Sequence, residues 1–309
     1  MEPVKIRGVG DALERRVVDH FGNGAGTYAE PDAAQMDAFR GAVGDVLRGD
    51  IVAATRNAER VGYALAPLAE DPSVLVLKER AEQMRGWPTV FFHVTPRSNS
   101  LVVEAPHPAF DWGTPELAWR AFDAFHADVL IVAGTHRANR AEPSPDVPHD
   151  GSLPEYSISD MTHTRGTLFQ AAHQAATGPG ATVLQVHGFS AEKHHRAEPA
   201  FPADQQVVLS DGANDGVDPP RLVAANDALR EAGFNSAIVT FEDAARSRLA
   251  ALPNVQKEDM RERGLTGPEA SAAFIHMEVD TSLRRGPDRE AAYDRLINAL
   301  SPVFAPPEE

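Results

Sequence analysis

No cysteine occurs anywhere in the chain. Disulfides, thiolate nucleophiles and zinc fingers are therefore excluded, and any metal must be held by histidine and carboxylate. Lysine is scarce as well. Lys5, Lys78, Lys193 and Lys257 are the only four among 29 basic residues, so arginine, whose planar fork of donors suits carboxylates, carries most of the positive charge. No apolar run approaches the roughly eighteen residues of a membrane span, and the first residues, MEPVKIRGVG, contain no apolar signal core. The expectation is a soluble protein, cytoplasmic or exported with its signal already removed. A formal charge of −16 sets nucleic acid and anionic membrane surfaces aside as partners, because both repel such a surface. A Gly-x-Ser-x-Gly elbow is also missing, which disfavours serine hydrolysis.

What remains is an ordinary globular composition. With 309 residues, 42% of them hydrophobic, the chain has the means to bury a large core. Apolar residues recur at helical spacing over residues 10–60, which predicts a helical N-terminal extension, residues 1–60, ahead of a larger domain, residues 61–309. The run Gly22 to Gly26 inside it follows no strand and precedes no Gly-Lys-Ser/Thr, so it reads as a turn between helices and not as a phosphate loop. From Val61 the pattern changes to short strands separated by turns, with consecutive neighbours expected to run antiparallel. After Glu116 strands alternate with helices, which predicts an α/β domain whose sheet is covered on both faces.

The chemistry gathers at strand ends. Leu101 to Ala105 is a buried-type strand stopped by Pro106, and His107 follows it directly. Asp111 comes four residues later. Thr114, Pro115 and Glu116 then read as a helix start, so an imidazole and two carboxylates, Asp111 and Glu116, share the crevice where open α/β sheets place their sites. Such residues suit a divalent ion such as zinc with one position left open. Past the strand Val129 to Ala133 stand Arg137, Asn139 and Arg140, able to fix a carboxylate or polarise a carbonyl. A long loop rich in Pro, Asp and Ser, Ala141 to Ser159, leads to His163 at a helix start, where loop residues face the site; His173, inside that helix, reads as a packing residue. The strand Thr182 to Val186 ends in His187, preferred over His194 and His195 of the following loop because rigid elements hold ligands more exactly. In the last strand, Ala273 to Val279, His276 and Glu278 point to one face. A carboxylate in so apolar a strand needs a partner or a task, which makes Glu278 the candidate general base.

The order of these features resembles the zinc carboxypeptidase-like superfamily, and within it members of the poly-γ-glutamate hydrolase and N-formylglutamate amidohydrolase type. The likeness rests on Ala-Pro-His with a following acid and Gly-Thr-Pro-Glu-Leu over 105–117, on Asn139-Arg140, on His187 and on Glu278, and it covers residues 87–304. It implies a mixed, mostly parallel sheet of about eight strands flanked by helices. It also implies Zn2+ held by His107, Asp111 and His187, with Glu116 behind them, because the acid in the polyglutamate hydrolase pattern lies just before Gly-Thr. Carboxypeptidases proper carry His-x-x-Glu, and here Phe110 stands in that place.

The implied reaction is hydrolysis of an amide or peptide bond next to a carboxylate. Zinc would lower the pKa of its water to about 7, Glu278 would take the proton, and Arg137 would stabilise the oxyanion. Asn139 and Arg140, with His163 and Glu116, would bind the substrate, a small peptide or N-acyl amino acid. The alternative is a metal-containing binding protein on the same fold without turnover; a free base such as Glu278 argues against it.

Overall fold

Short connections force neighbouring strands to run antiparallel, whereas a helical crossover returns the chain parallel, and both occur here. The computed structural model describes residues 8–22, 26–95, 100–148, 155–196, 201–212, 218–239, 249–267 and 272–306. Residues 23–25 of the glycine-rich turn, 149–154 of the Pro-rich loop, Thr240 and 307–309 of the tail lie outside the described residues.

Among the described residues nine strands form one sheet. They are β1 (Tyr63–Pro67), β2 (Val74–Glu79), β3 (Thr89–His93), β4 (Leu101–Ala105), β5 (Val129–Val132), β6 (Thr182–Phe189), β7 (Val207–Ser210), β8 (Ser236–Ile238) and β9 (Ala273–Asp280), in the order β1-β2-β3-β5-β4-β6-β9-β7-β8. The class is α/β and the sheet is mixed. Its parallel share is smaller than expected: β5–β4, β4–β6, β6–β9 and β7–β8 are parallel, while β1–β2, β2–β3, β3–β5 and β9–β7 are antiparallel. For β1–β2 and β2–β3 the reason is local: the connections after β1 and β2 are too short for a crossover, so the first third of the sheet is a meander.

Helices cover both faces. On one lie α4 (Thr114–Ala124), α7 (Pro220–Glu231) and α10 (Arg289–Phe304), packing Trp119, Phe122, Leu229 and Leu296 against Leu101, Val103 and Ala105. On the other lie α2 (Ala33–Leu47), α3 (Ile51–Arg60) and α5 (Leu168–Ala176), with Phe39, Val43, Ala54 and Phe169 against Leu75, Leu77, Val102 and Val183. Helices α2 and α3 thus share a core with the sheet.

Strand periodicity then sorts the polar residues. Glu104 alternates with the apolar face of β4 and points to the α5 side; Gln185 and His187 of β6, and His276 and Glu278 of β9, share that side with Val183 and Phe274. Each row is apolar at its N-terminal end and polar at its C-terminal end. The central parallel strands therefore deliver their polar side chains to one edge of the sheet.

Candidate metal centre

Two loops and two strand ends meet at that edge. His107 leaves β4, Arg137 follows β5, and β6 and β9 run in register so that His187 lies opposite Glu278. The segment after His107 winds into a turn, with the Asp111 amide donating to the His107 carbonyl (2.9 Å), and this carries the Asp111 carboxyl back over the imidazole. Asp111 Oδ2 lies 3.4 Å from His107 Nδ1 and 3.4 Å from His187 Nδ1. The two imidazole rings stand edge to face with centroids 4.8 Å apart. All three residues are buried, and their nearest ligand atoms fall within 4.8 Å of one another.

The other nitrogen of each imidazole is occupied. His107 Nε2 is 2.9 Å from Asp160 Oδ1, and His187 Nε2 is 2.9 Å from Gln185 Oε1. Both outer partners accept hydrogen bonds, so both rings carry their proton on Nε2 and turn the Nδ1 lone pair inward. His107 Nδ1 makes no hydrogen bond although it is buried. A buried acceptor without a donor is costly unless something fills the space. Two imidazole nitrogens and one carboxylate oxygen aimed at one point fit a divalent ion of the zinc type, with room for a further ligand.

Charge reinforces this at Asp111 and His187. Burial acts to raise the Asp111 carboxyl, but the His107 and His187 imidazoles hold it well below the usual carboxylate range. Burial lowers His187 to about 4, which keeps it neutral and able to ligate. Burial and Arg137 oppose protonation of His107, yet Asp160 and Asp111 carry it above the ordinary imidazole value. Glu278 stands beside the triad, its carboxyl pushed well above the usual range by burial and then by Asp111, and its Oε2 has no hydrogen-bond partner. Burial, and after it the His187 and His107 rings, hold His276 well below the ordinary imidazole value. Its Nε2 lies 3.7 Å from Glu278 Oε1, and with His187 and Glu278 it forms a second possible ligand group.

The triad opens into a cleft of about 620 Å³ whose lining includes Asp111, His187, Glu278, Arg137, Lys193 and Arg285. Phe110, next to Asp111, is an exposed part of its lining. Arg137 spans the wall, paired with Asp160 Oδ2 at 2.5 Å and lying over the Phe110 ring. Lys193 and Arg285 are exposed and have no ion-pair partner among the described residues. The floor is fixed by Arg284, a buried side chain that donates to the carbonyls of Val279 (2.8 Å), Phe189 (3.1 Å) and Trp112. Gly188 permits this, since a Cβ there would meet Arg284 Cζ at 2.2 Å.

Not every residue singled out from the sequence joins this group. Glu116 turns away from it: its carboxyl accepts from the Gly8 (3.2 Å) and Gly10 (3.1 Å) amides at the start of α1 (Val9–Val17) and pairs with Arg120 at 3.2 Å. Asn139 is a clamp for the N-terminal segment, accepting from Tyr28 N (2.6 Å) and donating to the Phe21 (2.5 Å) and Gly26 (3.1 Å) carbonyls. Arg140 pairs with Glu30 at 2.8 Å and with Glu142. These three are spent on structure. His163 lies behind the site, stacked on Tyr156 with centroids 3.5 Å apart and 2.9 Å from Asp160 Oδ1.

Four residues of the outer layer escaped the sequence reading: Asp160, Glu104, Gln185 and Asn254. Asp160, which receives His107, His163, Thr162 and Arg137 together, sits in an unremarkable loop. Glu104 and Gln185 did carry a signal, as lone polar residues in otherwise apolar strands.

No family model matches the chain, and no curated protein matches it in sequence. Among solved structures it is similar to a bacteriophage poly-gamma-glutamate hydrolase (11% identity, 72% of this chain and 90% of that one, TM-score 0.40). It is also similar to N-formylglutamate amidohydrolase from Ralstonia eutropha JMP134 (16% identity, 71% and 97%, TM-score 0.44). A third is a metallo-carboxypeptidase from Burkholderia cenocepacia (12% identity, 70% and 60%, TM-score 0.39).

Proposed function

We propose that this protein is a metal-dependent hydrolase that cleaves an amide bond close to a carboxylate. One observation carries the reading. Two buried imidazoles, each tied through Nε2, and one carboxylate face a common point beside a further buried carboxyl that is free on one oxygen and opens onto a cleft. A purely structural site would be closed by a fourth protein ligand. His107, Asp111 and His187 would hold a divalent ion, zinc by the donor set. Such an ion acts as a Lewis acid on a carbonyl and acidifies water.

The chain's own groups do the rest. Glu278 holds the proton of the attacking water and returns it to the leaving amine; a cation nearby favours its ionised form, which burial and Asp111 otherwise disfavour. Arg137, oriented by Asp160, places guanidinium N–H groups on the cleft wall where the carbonyl oxygen gains charge. Lys193 and Arg285 supply positive charge at the mouth, which an acidic protein needs in order to take an acidic substrate. They replace Asn139 and Arg140 in that role.

A second reading has its own observation. His187, His276 and Glu278 also cluster, and an ion held there would consume Glu278 as a ligand, leaving a binding protein without a base. The Glu278→Gln variant separates the two. In the hydrolase it keeps metal content near one ion per chain while turnover falls by about 10²–10⁴-fold, the usual worth of a general base. Loss of metal together with turnover would favour the second site, and wild-type turnover would remove Glu278 from the mechanism.

A further inference from the structure

We infer that Glu104 and Asn254 are positioning residues for the metal-facing nitrogen of His187, acting through the side-chain amide of Gln185. This rests on the reading of His107, Asp111 and His187 as a metal centre. A neutral imidazole has one donor and one acceptor nitrogen, and the partner of one nitrogen decides which. For His107 the choice is simple, because its outer partner is the carboxyl of Asp160. For His187 the outer partner is an amide, which has a donor end and an acceptor end and could present either. With its NH2 group towards His187, the imidazole proton would move to Nδ1 and point at Asp111. The ligand lone pair would then be gone.

The amide is locked the other way. Asn254 Nδ2 donates to Gln185 Oε1 at 2.7 Å, on the same side as His187. On the opposite side Gln185 Nε2 donates to Glu104 Oε2 at 2.8 Å and to Gln256 Oε1 at 3.3 Å. Each lock is itself held. Asn254 caps helix α8 (Val255–Glu262), its Oδ1 accepting from the Gln256 and Lys257 amides, both at 3.1 Å, so its NH2 group must face Gln185. Gln256 is fixed because its Nε2 donates to the Met161 carbonyl (2.8 Å) and to Gln170 Oε1 (2.9 Å). Glu104 is fully buried, with its second oxygen 2.7 Å from His173 Nδ1. Turning Gln185 over would place oxygen against oxygen on one side and hydrogen against hydrogen on the other. In a buried network each such mismatch is costly.

The test uses Asn254→Asp, which keeps the helix cap because Asp and Asn cap equally well but sets a carboxylate oxygen against Gln185 Oε1. Ring nitrogen NMR of the metal-free protein should show His187 protonated at Nε2 in the wild type and at Nδ1 in the variant, with His107 unchanged. Titration with Zn2+ against a chelator should show Kd weakened about 10–100-fold, the usual effect of an outer partner. Adding Glu104→Gln gives the turned amide a donor for its oxygen. The double variant should therefore recover thermal stability over Asn254→Asp while binding Zn2+ still more weakly. A merely structural role would move stability and affinity together. An Asn254→Asp protein with His187 still protonated at Nε2 and the wild-type Kd would overturn the inference. If the wild type itself binds no Zn2+, the metal reading fails, and the tautomer comparison still decides the positioning role.

Discussion

At the scale of single residues, the site depends on which hydrogen-bonding capacity is left over. Arg140 and Arg285 are chemically identical, yet Arg140 has spent its guanidinium on Glu30 and Glu142, whereas Arg285 lies over Trp112 with no ion-pair partner among the described residues. Only the second can grip a substrate carboxylate at the cleft without first breaking an ion pair. Matched substrates, free acid against amide, should thus show a preference for the acid in kcat/KM that Arg285→Ala reduces about tenfold or more, on the scale of a charge-assisted hydrogen bond. Arg140→Ala should leave the preference intact. The reverse pattern would return the carboxylate to Arg140. Nothing in the local sequence separates the two arginines, because the partners of Arg140 include Glu30, which is remote in the chain.

Among elements, the junction of α1 and α4 shows how an apparent site acid becomes a structural one. Glu116, in the first turn of α4, accepts from the Gly8 and Gly10 amides at the start of α1. Glu14 of α1 returns the arrangement by accepting from Gly113 N at 2.6 Å, at the start of α4. Each helix thus satisfies orphan donors of the other, and the negative charge sits at the favourable end of each dipole. The approach is close enough that a Cβ on Gly10 would lie 2.3 Å from the Glu116 backbone. Glu116→Ala strands two amides and removes one of the three carboxylate partners of Arg120, so it should cost about 1–3 kcal/mol of stability and leave Zn2+ affinity unchanged. Asp111→Ala should do the opposite, removing the ion with a smaller effect on the metal-free fold. Paired denaturation and metal titration of both variants would check this, and zinc loss in Glu116→Ala would show that it belongs to the metal centre.

For the whole molecule, a metal at the proposed centre would couple distant parts of the chain. Its three proposed ligands come from the ends of β4 and β6 and the loop between β4 and α4, and β9 and α8 hold the layer behind them. Binding to the native state alone should therefore stabilise everything at once. With Zn2+ at a hundredfold excess over Kd the gain is about 2.7 kcal/mol, which for a chain of this length corresponds to a rise in Tm of about 4 °C. Calorimetry with and without a chelator should show this shift in the wild type. His187→Ala should lose it, and a shift of equal size in that variant would place the ion elsewhere.

The sequence by itself determined most of the strands and the side chains each presents to a face. Alternation put His276 and Glu278 on one side of a strand, Pro106 ended β4 before His107, and the lack of cysteine left histidine and carboxylate as the only strong ligands. These are local consequences of period, sterics and donor type, and they need no knowledge of neighbours. The mostly parallel sheet failed because pairing partners are not local: β5 inserts between β3 and β4, and β9 pairs with β6 on one side and β7 on the other. Tertiary structure also decided which polar groups remain free. Asn139, Arg140 and Glu116 were claimed by the N-terminal segment, about a hundred residues earlier, while Glu104 and Asn254 converged on Gln185, which bonds the His187 imidazole. A side chain's chemistry is written in its type, but its availability is set by the partners that folding brings within about 3 Å.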